Sequence, residues 1–310
     1  MRWVTYVSPA LGQERPGLLN DAGVHGLRGS AALLDLLGDD GSRLAQAAES
    51  ALANPLEVVP TAEARLRSPV PVPPSIRDYL AFEAHIGNTQ RARGSEIDPG
   101  WYELPVFYFT NPAAVHGPDD DVATSPGSAQ FDYELEVAAV IGREGGDLTP
   151  QQAAEHIAGY LVLADWSARD LQFAEMRQRL GPAKGKDSAT SLGPALVTPD
   201  ELAPYRKGNG FDLAMTASVN GVPYSAGNLA DIYWSFGQMI SYASRGTRVV
   251  PGDVIGSGTV GTGCILELSG LHGGQRYPWL QPGDEVRLEV ARLGAISARI
   301  LPSRPVIPLR

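Results

Sequence analysis

Hydrophobic and polar positions change period along this chain, and the changes mark its elements. Residues 2–7 (Arg-Trp-Val-Thr-Tyr-Val) read as a strand. Gly17-Leu-Leu-Asn20 and Val24-His-Gly-Leu27 flank Asp21-Ala-Gly23, the pattern of a hairpin. Ala31, Leu33, Leu34 and Leu37 leave one apolar face, so a helix is expected there with Ser30 as its cap. Asp40-Gly41 interrupts it, and a second helix fits Ser42–Ala53. Pro55, Pro60 and the run Pro69-Val-Pro-Val-Pro-Pro74 then break all periodicity. A boundary near residue 70 is expected, separating a small N-terminal α+β unit (1–70) from a larger unit (71–310).

The larger unit reads as β-rich. Pro105–Phe109 is aromatic and β-prone. Phe131–Ile141 begins as an alternation and becomes continuously apolar, which predicts a strand half exposed at its start and buried at its end. Thr149 caps an expected helix to about Ala158, with Pro150 at its first position. Tyr160-Leu-Val-Leu-Ala-Asp165 reads as a strand, and further strands are expected at Asp212–Val219, Asp253–Ile255, Cys264–Leu268 and Glu285–Val290. The fold class is therefore α+β and β-rich.

Composition narrows the picture. Hydrophobic residues are 43% and charged residues 19%, values ordinary for a globular protein of 310 residues. No apolar run reaches the 18 residues that suggest a membrane span, and the first residues lack a secretory pattern. A net charge of −10 argues against nonspecific nucleic-acid binding. Cys264 is the sole cysteine, which excludes an intrachain disulfide and points to a reducing, cytoplasmic setting. Only three of the 25 basic residues are lysines, and two of them, Lys184 and Lys186, stand in one short loop.

Candidate chemistry begins with Asp132-Tyr-Glu134-Leu-Glu136. On a strand, alternate residues share a face, so three carboxylates would crowd together. A hard cation such as Mg2+, Mn2+ or Ca2+ would relieve their repulsion; a solvated edge strand would also explain them. Asp165 adds another carboxylate at the end of an apolar strand, opening Asp165-Trp-Ser-Ala-Arg169-Asp170-Leu-Gln172. Gly256-Ser-Gly258-Thr-Val-Gly261 spells a dinucleotide fingerprint, but that motif must open a helix, and a strand is expected at Cys264–Leu268. Of five histidines, His156 fits a helix surface, and only His85 lies in a segment dense in polar residues.

These residues in this order resemble the fumarylacetoacetate hydrolase family over about residues 76–290. The Glu-x-Glu strand (Glu134, Glu136), the Asp165-Trp-Ser-Ala-Arg-Asp-Leu-Gln172 block, Gly181-Pro, Gly185-Lys186 with Thr190, and the Ser257-Gly258-Thr259 turn before Glu267 carry the resemblance. It implies a catalytic domain of rolled mixed β-sheet, commonly in a homodimer, acting on a small oxo acid or β-diketone with no nucleic-acid or membrane partner. By position it implies Glu134, Glu136, Asp165 and Thr190 around Mg2+, Ca2+ or Mn2+, with His85 as catalytic base oriented by Glu267. Lys186 would face developing negative charge; Tyr108, Arg169, Gln172 and Thr259 would contact substrate, Arg169 as a clamp on a carboxylate. The family also has a metal-binding Asp upstream of its histidine. Its expected counterpart here is Ala81, with Glu83 able to replace it only on a shifted backbone; Met176 stands where the hydrolase has a tyrosine. The implied reaction is hydrolysis of a carbon–carbon bond in a 2,4-dioxo acid. Decarboxylation or enol–keto isomerisation at the same metal site, and metal binding without catalysis, remain alternatives.

Overall fold

The computed structural model describes residues 1–29, 32–92 and 94–310. Ser30 lies outside the described residues, so the expected cap does too; Leu33–Leu36 form a short 3-10 turn in place of the expected helix. The helix at Ser42–Ala53 forms as its pattern predicts, with Leu44, Ala47, Ala48 and Ala51 buried along one face.

A long mixed sheet organises the molecule. Its strand order is Val58–Val59, Gly23–Gly26, Glu14–Asn20, Arg2–Val7, Thr190–Val197, Ile157–Asp165, Leu135–Ile141, Val254–Gly256, Ile76–Tyr79 and Phe107–Thr110. Strands on both sides of the proline run thus share one sheet, joined where Arg2–Val7 pairs with Thr190–Val197. The pairings are antiparallel except that Val254–Gly256 runs parallel to Ile76–Tyr79, and Val115–His116 runs parallel to Thr190–Val197 off the main path. A five-stranded sheet containing Ala214–Val219, Val222–Asn228, Glu285–Val290 and Gly294–Leu301 packs against it. The structure is α+β and sheet-rich, as expected. Among the described residues no helix is long and apolar enough to cross a membrane.

The central strands are apolar on both faces because both faces are covered. Val137, Ala139 and Ile141, with Tyr160, Val162 and Ala164, enter one core against the second sheet. Ala138, Val140, Leu161 and Leu163 enter another, closed by Trp3, Leu18 and the helix Ser42–Ala53. The expected half-exposed start of the 131–141 segment is not found. It is buried throughout, and it splits into Phe131–Asp132 and Leu135–Ile141, the first pairing with Ser167–Ala168.

Two further expectations are corrected. Cys264–Leu268 is not a strand: Ile265–His272 is a helix. Its letters favour a strand, but Asp132, from a distant segment, accepts hydrogen bonds from the backbone N–H of Ile265 (2.7 Å) and Leu266 (3.0 Å) and caps it. The glycine-rich turn therefore does precede a helix, yet a protein carboxylate already fills the N-terminus where a phosphate would sit. The helix after Thr149 ends at Ala154, and His156 is buried beyond it rather than lying on its surface.

Candidate active site

The second core's face of the sheet changes from apolar to acidic toward one end. Along Leu135–Ile141, Val140 and Ala138 are followed on the same face by Glu136; along Ile157–Asp165, Leu161 and Leu163 are followed by Asp165. Ile76 is followed likewise by Asp78. Register brings the three together: Gly256 pairs with Asp78 on one side and Ala138 on the other. One carboxylate oxygen each from Asp78, Glu136 and Asp165 lies within 4.8 Å of the others, and all three side chains are buried. A solvated edge strand is thereby excluded.

This set suits a hard divalent cation. Among the described residues, Glu136 Oε2 and Asp165 Oδ1 are buried without a hydrogen-bond partner. Between Asp78 and Glu136 the chain has Gly256, where a Cβ would stand 2.4 Å from Asp78 Oδ1 and 3.3 Å from Glu136 Oε2. Burial, and then the neighbouring carboxylates of Asp78, Glu134 and Asp165, raise the Glu136 carboxyl well above its ordinary range. Asp165 is pushed up to about 8 by burial and by Glu134 and Asp78, with Lys186 opposing. Such crowding is costly for bare carboxylates and is offset when they share a cation.

Asp78 is the residue sequence reasoning missed. Ala81 has a buried methyl side chain and cannot ligate, and Glu83 points away, accepting from the Tyr102 hydroxyl at 2.6 Å on the exposed side of its helix. The signal was present but slight: an acidic residue between Ile76 and Tyr79, one position before Tyr79.

Glu134 sits beside the cluster but is engaged by cations. Its Oε1 accepts from Arg169 Nη2 at 2.7 Å, and its Oε2 from Lys186 Nζ. Burial disfavours its charge, yet Arg169 and Lys186 prevail and hold its carboxyl far below the ordinary range. Lys186 also donates to Asp165 Oδ2 at 2.6 Å, and it is 2% exposed. Burial alone would neutralise it, but Asp165 and Glu134 keep its ammonium charged. The Lys184 side chain, by contrast, is 75% exposed and pairs with Asp187. The loop carrying both lysines is clasped by Glu175, whose carboxylate accepts from the N–H of Ala183, Lys184 and Gly185.

Arg169 lines the cavity over the cluster, and protein groups engage most of its guanidinium. Its Nε and Nη2 donate to Asp132, Nη2 also to Glu134, and Nη1 to Gln172 Oε1 at 3.1 Å. Two buried carboxylates thus hold the Nε and Nη2 side of the guanidinium, while Nη1 serves Gln172. Gln172 keeps its amide NH2, and it lines the cavity over the cluster. The Tyr108 hydroxyl lies between Asp78 (3.0 Å) and Asp165. Thr259 Oγ1 is 3.5 Å from Glu136 Oε1. Thr190 pairs with Asp165 across the ladder, buried, on the sheet face that bears the cluster.

The cavity encloses about 320 Å3. Asp78, His85, Glu134, Glu136, Lys186 and Thr259 lie in its lining, with apolar walls from Ile86, Val106, Phe173, Met176 and Leu266. The helix Glu83–Ala92 carries His85 and the helix Ile265–His272 carries Glu267. His85 Nδ1 is 2.6 Å from Glu267 Oε1. A carboxylate partner makes Nδ1 the donor, leaving Nε2 as the basic nitrogen. Among the described residues Nε2 takes no hydrogen bond. The arrangement can accept a proton beside a site of concentrated negative charge and one fixed ammonium.

Residues 75–301 match the family model described as fumarylacetoacetate (FAA) hydrolase C-terminal. The chain is 30% identical over 266 residues to a mitochondrial oxaloacetate tautomerase of Homo sapiens, covering 85% of this chain and 78% of that protein. It is 28% identical over 302 residues to a fumarylacetoacetase of Arabidopsis thaliana, covering 76% of this chain and 71% of that protein. Its fold resembles that of a fumarylacetoacetate hydrolase from Exiguobacterium antarcticum, with a TM-score of 0.73, 24% identity, and coverage of 98% of this chain and 100% of that one.

Proposed function

The chain belongs to the fumarylacetoacetate hydrolase family, and on that premise we propose that it is a divalent-metal-dependent hydrolase of a carbon–carbon bond in a 2,4-dioxo acid or related β-diketone. One observation carries this reading: His85, paired with Glu267, lines the same cavity as Asp78 and Glu136 of the carboxylate cluster. Hydrolysis needs a base for water as well as a site for an enolate, and this cavity has residues for both.

Asp78, Glu136 and Asp165 would hold the cation, with Glu134 beside them; Mg2+ is the leading candidate, Mn2+ and Ca2+ the others. When bound, it supplies Lewis acidity to the oxygens of the dioxo acid. His85 Nε2 takes a proton from water as the water oxygen bonds to the acyl carbonyl carbon. The bond from that carbon to the methylene then breaks, and its electron pair leaves as the enolate of the 2-oxo acid. Lys186 Nζ, already charged and fixed, faces that negative charge. The proton on His85 returns to the methylene carbon, giving a carboxylic acid and a 2-oxo acid. Glu267 keeps the imidazole in the tautomer this requires, and Gln172, Thr259 and Tyr108 are the polar groups placed to orient substrate. Arg169 positions Glu134 and Gln172.

A second reading is enol–keto isomerisation of an oxo acid, favoured by the similarity to a protein named as an oxaloacetate tautomerase. It uses the same cluster and lysine but needs no water activation. The two separate on the products of the wild type: hydrolysis predicts cleavage, lost in His85→Ala with metal binding intact, and isomerisation predicts none; full cleavage in that variant refutes the proposed role of His85.

A further inference from the structure

We propose that Asn88 is a positioning residue, holding the Glu267 carboxylate in the plane from which it can orient His85; the inference rests on the reading of His85 as the base. His85 and Asn88 are three residues apart on the helix Glu83–Ala92 and therefore lie on neighbouring positions of one face. Both reach across to the same carboxylate on the helix Ile265–His272. Glu267 Oε1 meets His85 Nδ1 at 2.6 Å, while Oε2 accepts from Asn88 Nδ2 at 2.7 Å and from the Thr262 backbone N–H at 2.8 Å.

The need for this arrangement comes from the side chain. The terminal torsion of a glutamate is soft and roughly two-fold, so nothing in Glu267 itself fixes the plane of its carboxylate. It is wholly buried, so water does not hold it either. Two donors on Oε2 set that plane, and the same setting aims Oε1 at Nδ1. The Cys264 thiol, 3.7 Å from Oε1, is too weak a donor to substitute. With Asn88 removed, Oε2 keeps the Thr262 N–H alone, and the carboxylate can turn about that single bond.

The Asn88→Asp variant is the sharpest test, because it keeps shape and volume and replaces the donor by an acceptor. It is compared with Asn88→Ala in the metal-loaded enzyme on acetylpyruvate. Asn88 is half-buried on a helix surface, so both variants should fold, as checked by thermal unfolding. Both should lose about ten- to a hundredfold in kcat, with KM and metal affinity close to wild type. Nitrogen-15 NMR of the resting protein should show the Nδ1-protonated His85 ring of the wild type giving way to a tautomer mixture. An Asn88→Asp variant with wild-type kcat overturns the proposal, as does a loss of kcat with unchanged His85 ring nitrogens, or a loss confined to KM. A His85→Ala variant that still cleaves would instead refute the base assignment, while the NMR comparison would still report whether Asn88 orders the ring.

Discussion

Substituting Gly256→Ala adds one methyl group between two carboxylates. The new Cβ would stand 2.4 Å from Asp78 Oδ1, 3.0 Å from Asp78 Cγ and 3.3 Å from Glu136 Oε2. Ordinary contact begins at 3.4 Å, so the Asp78 oxygen must retreat by 3.4 − 2.4 = 1.0 Å. Asp78 lies on a short strand paired on both sides, so the retreat falls on its side chain. Metal–oxygen distances tolerate only about 0.2 Å, and Mg2+ demands near-ideal geometry. A displacement several times that tolerance removes a ligand, and metal affinity should fall by at least the 10- to 100-fold that disturbing a supporting residue costs. The fold should survive with a loss of about 1–3 kcal/mol from overpacking. Titration calorimetry of the metal-free protein with Mn2+ and Mg2+ measures the affinity, and thermal unfolding checks the fold. Gly159→Ala is the control: its Cβ would meet the Val197 carbonyl oxygen at 2.7 Å, remote from the carboxylates, so it should lose stability but bind metal normally. A folded Gly256→Ala variant with wild-type metal affinity would refute the placement of the cation between Asp78 and Glu136.

Further predictions turn on the sign of each charge. Glu136→Gln should leave the metal-free protein as stable as wild type or more so, because it removes one of several crowded buried carboxylates, while the rise in Tm that metal gives the wild type should vanish. Lys186→Met should do the opposite, costing about 3–5 kcal/mol in urea unfolding because Glu134 and Asp165 lose a shared buried counter-ion. Lys186→Arg should keep more of that stability but reduce kcat, since a planar fork cannot replace a point charge between two carboxylates; unchanged kinetics would remove the lysine from the reaction. Glu175→Gln should lower kcat with little effect on metal affinity, by loosening the three N–H bonds that fix the Lys186 loop; wild-type steady-state kinetics would count against that role.

What the chain disclosed in advance came from local pattern. The continuous apolar runs before Ile141 and Asp165 announced strands covered on both faces, and the apolar stripe of Ser42–Ala53 gave a helix with those ends. Asp165 was legible because it ends such a run with a charge, and Glu136 because it alternates with Asp132 and Glu134. Asp78 was not, because a four-residue strand has no period to violate and its partners are made by parallel pairing with Val254–Gly256, far along the chain. Ile265–His272 was misread for a similar reason: its cap, Asp132, is supplied from another segment. Arg169 lines the cavity, as its motif suggested, but its two buried carboxylate partners come from a distant segment and were not legible. The loop's two lysines could not be told apart by pattern; the structure buries Lys186 among carboxylates and leaves Lys184 in solvent.

The proposed reaction is hydrolysis of a carbon–carbon bond in this cavity, with a bound divalent cation and His85 as base. Proton NMR of acetylpyruvate incubated with the Mg2+-loaded enzyme tracks the products directly. The account predicts acetate and pyruvate in equal amounts, abolished by exhaustive chelation, restored by Mg2+, and absent in His85→Ala. Intact acetylpyruvate with only accelerated enol–keto exchange, or release of CO2 in place of acetate, would contradict it.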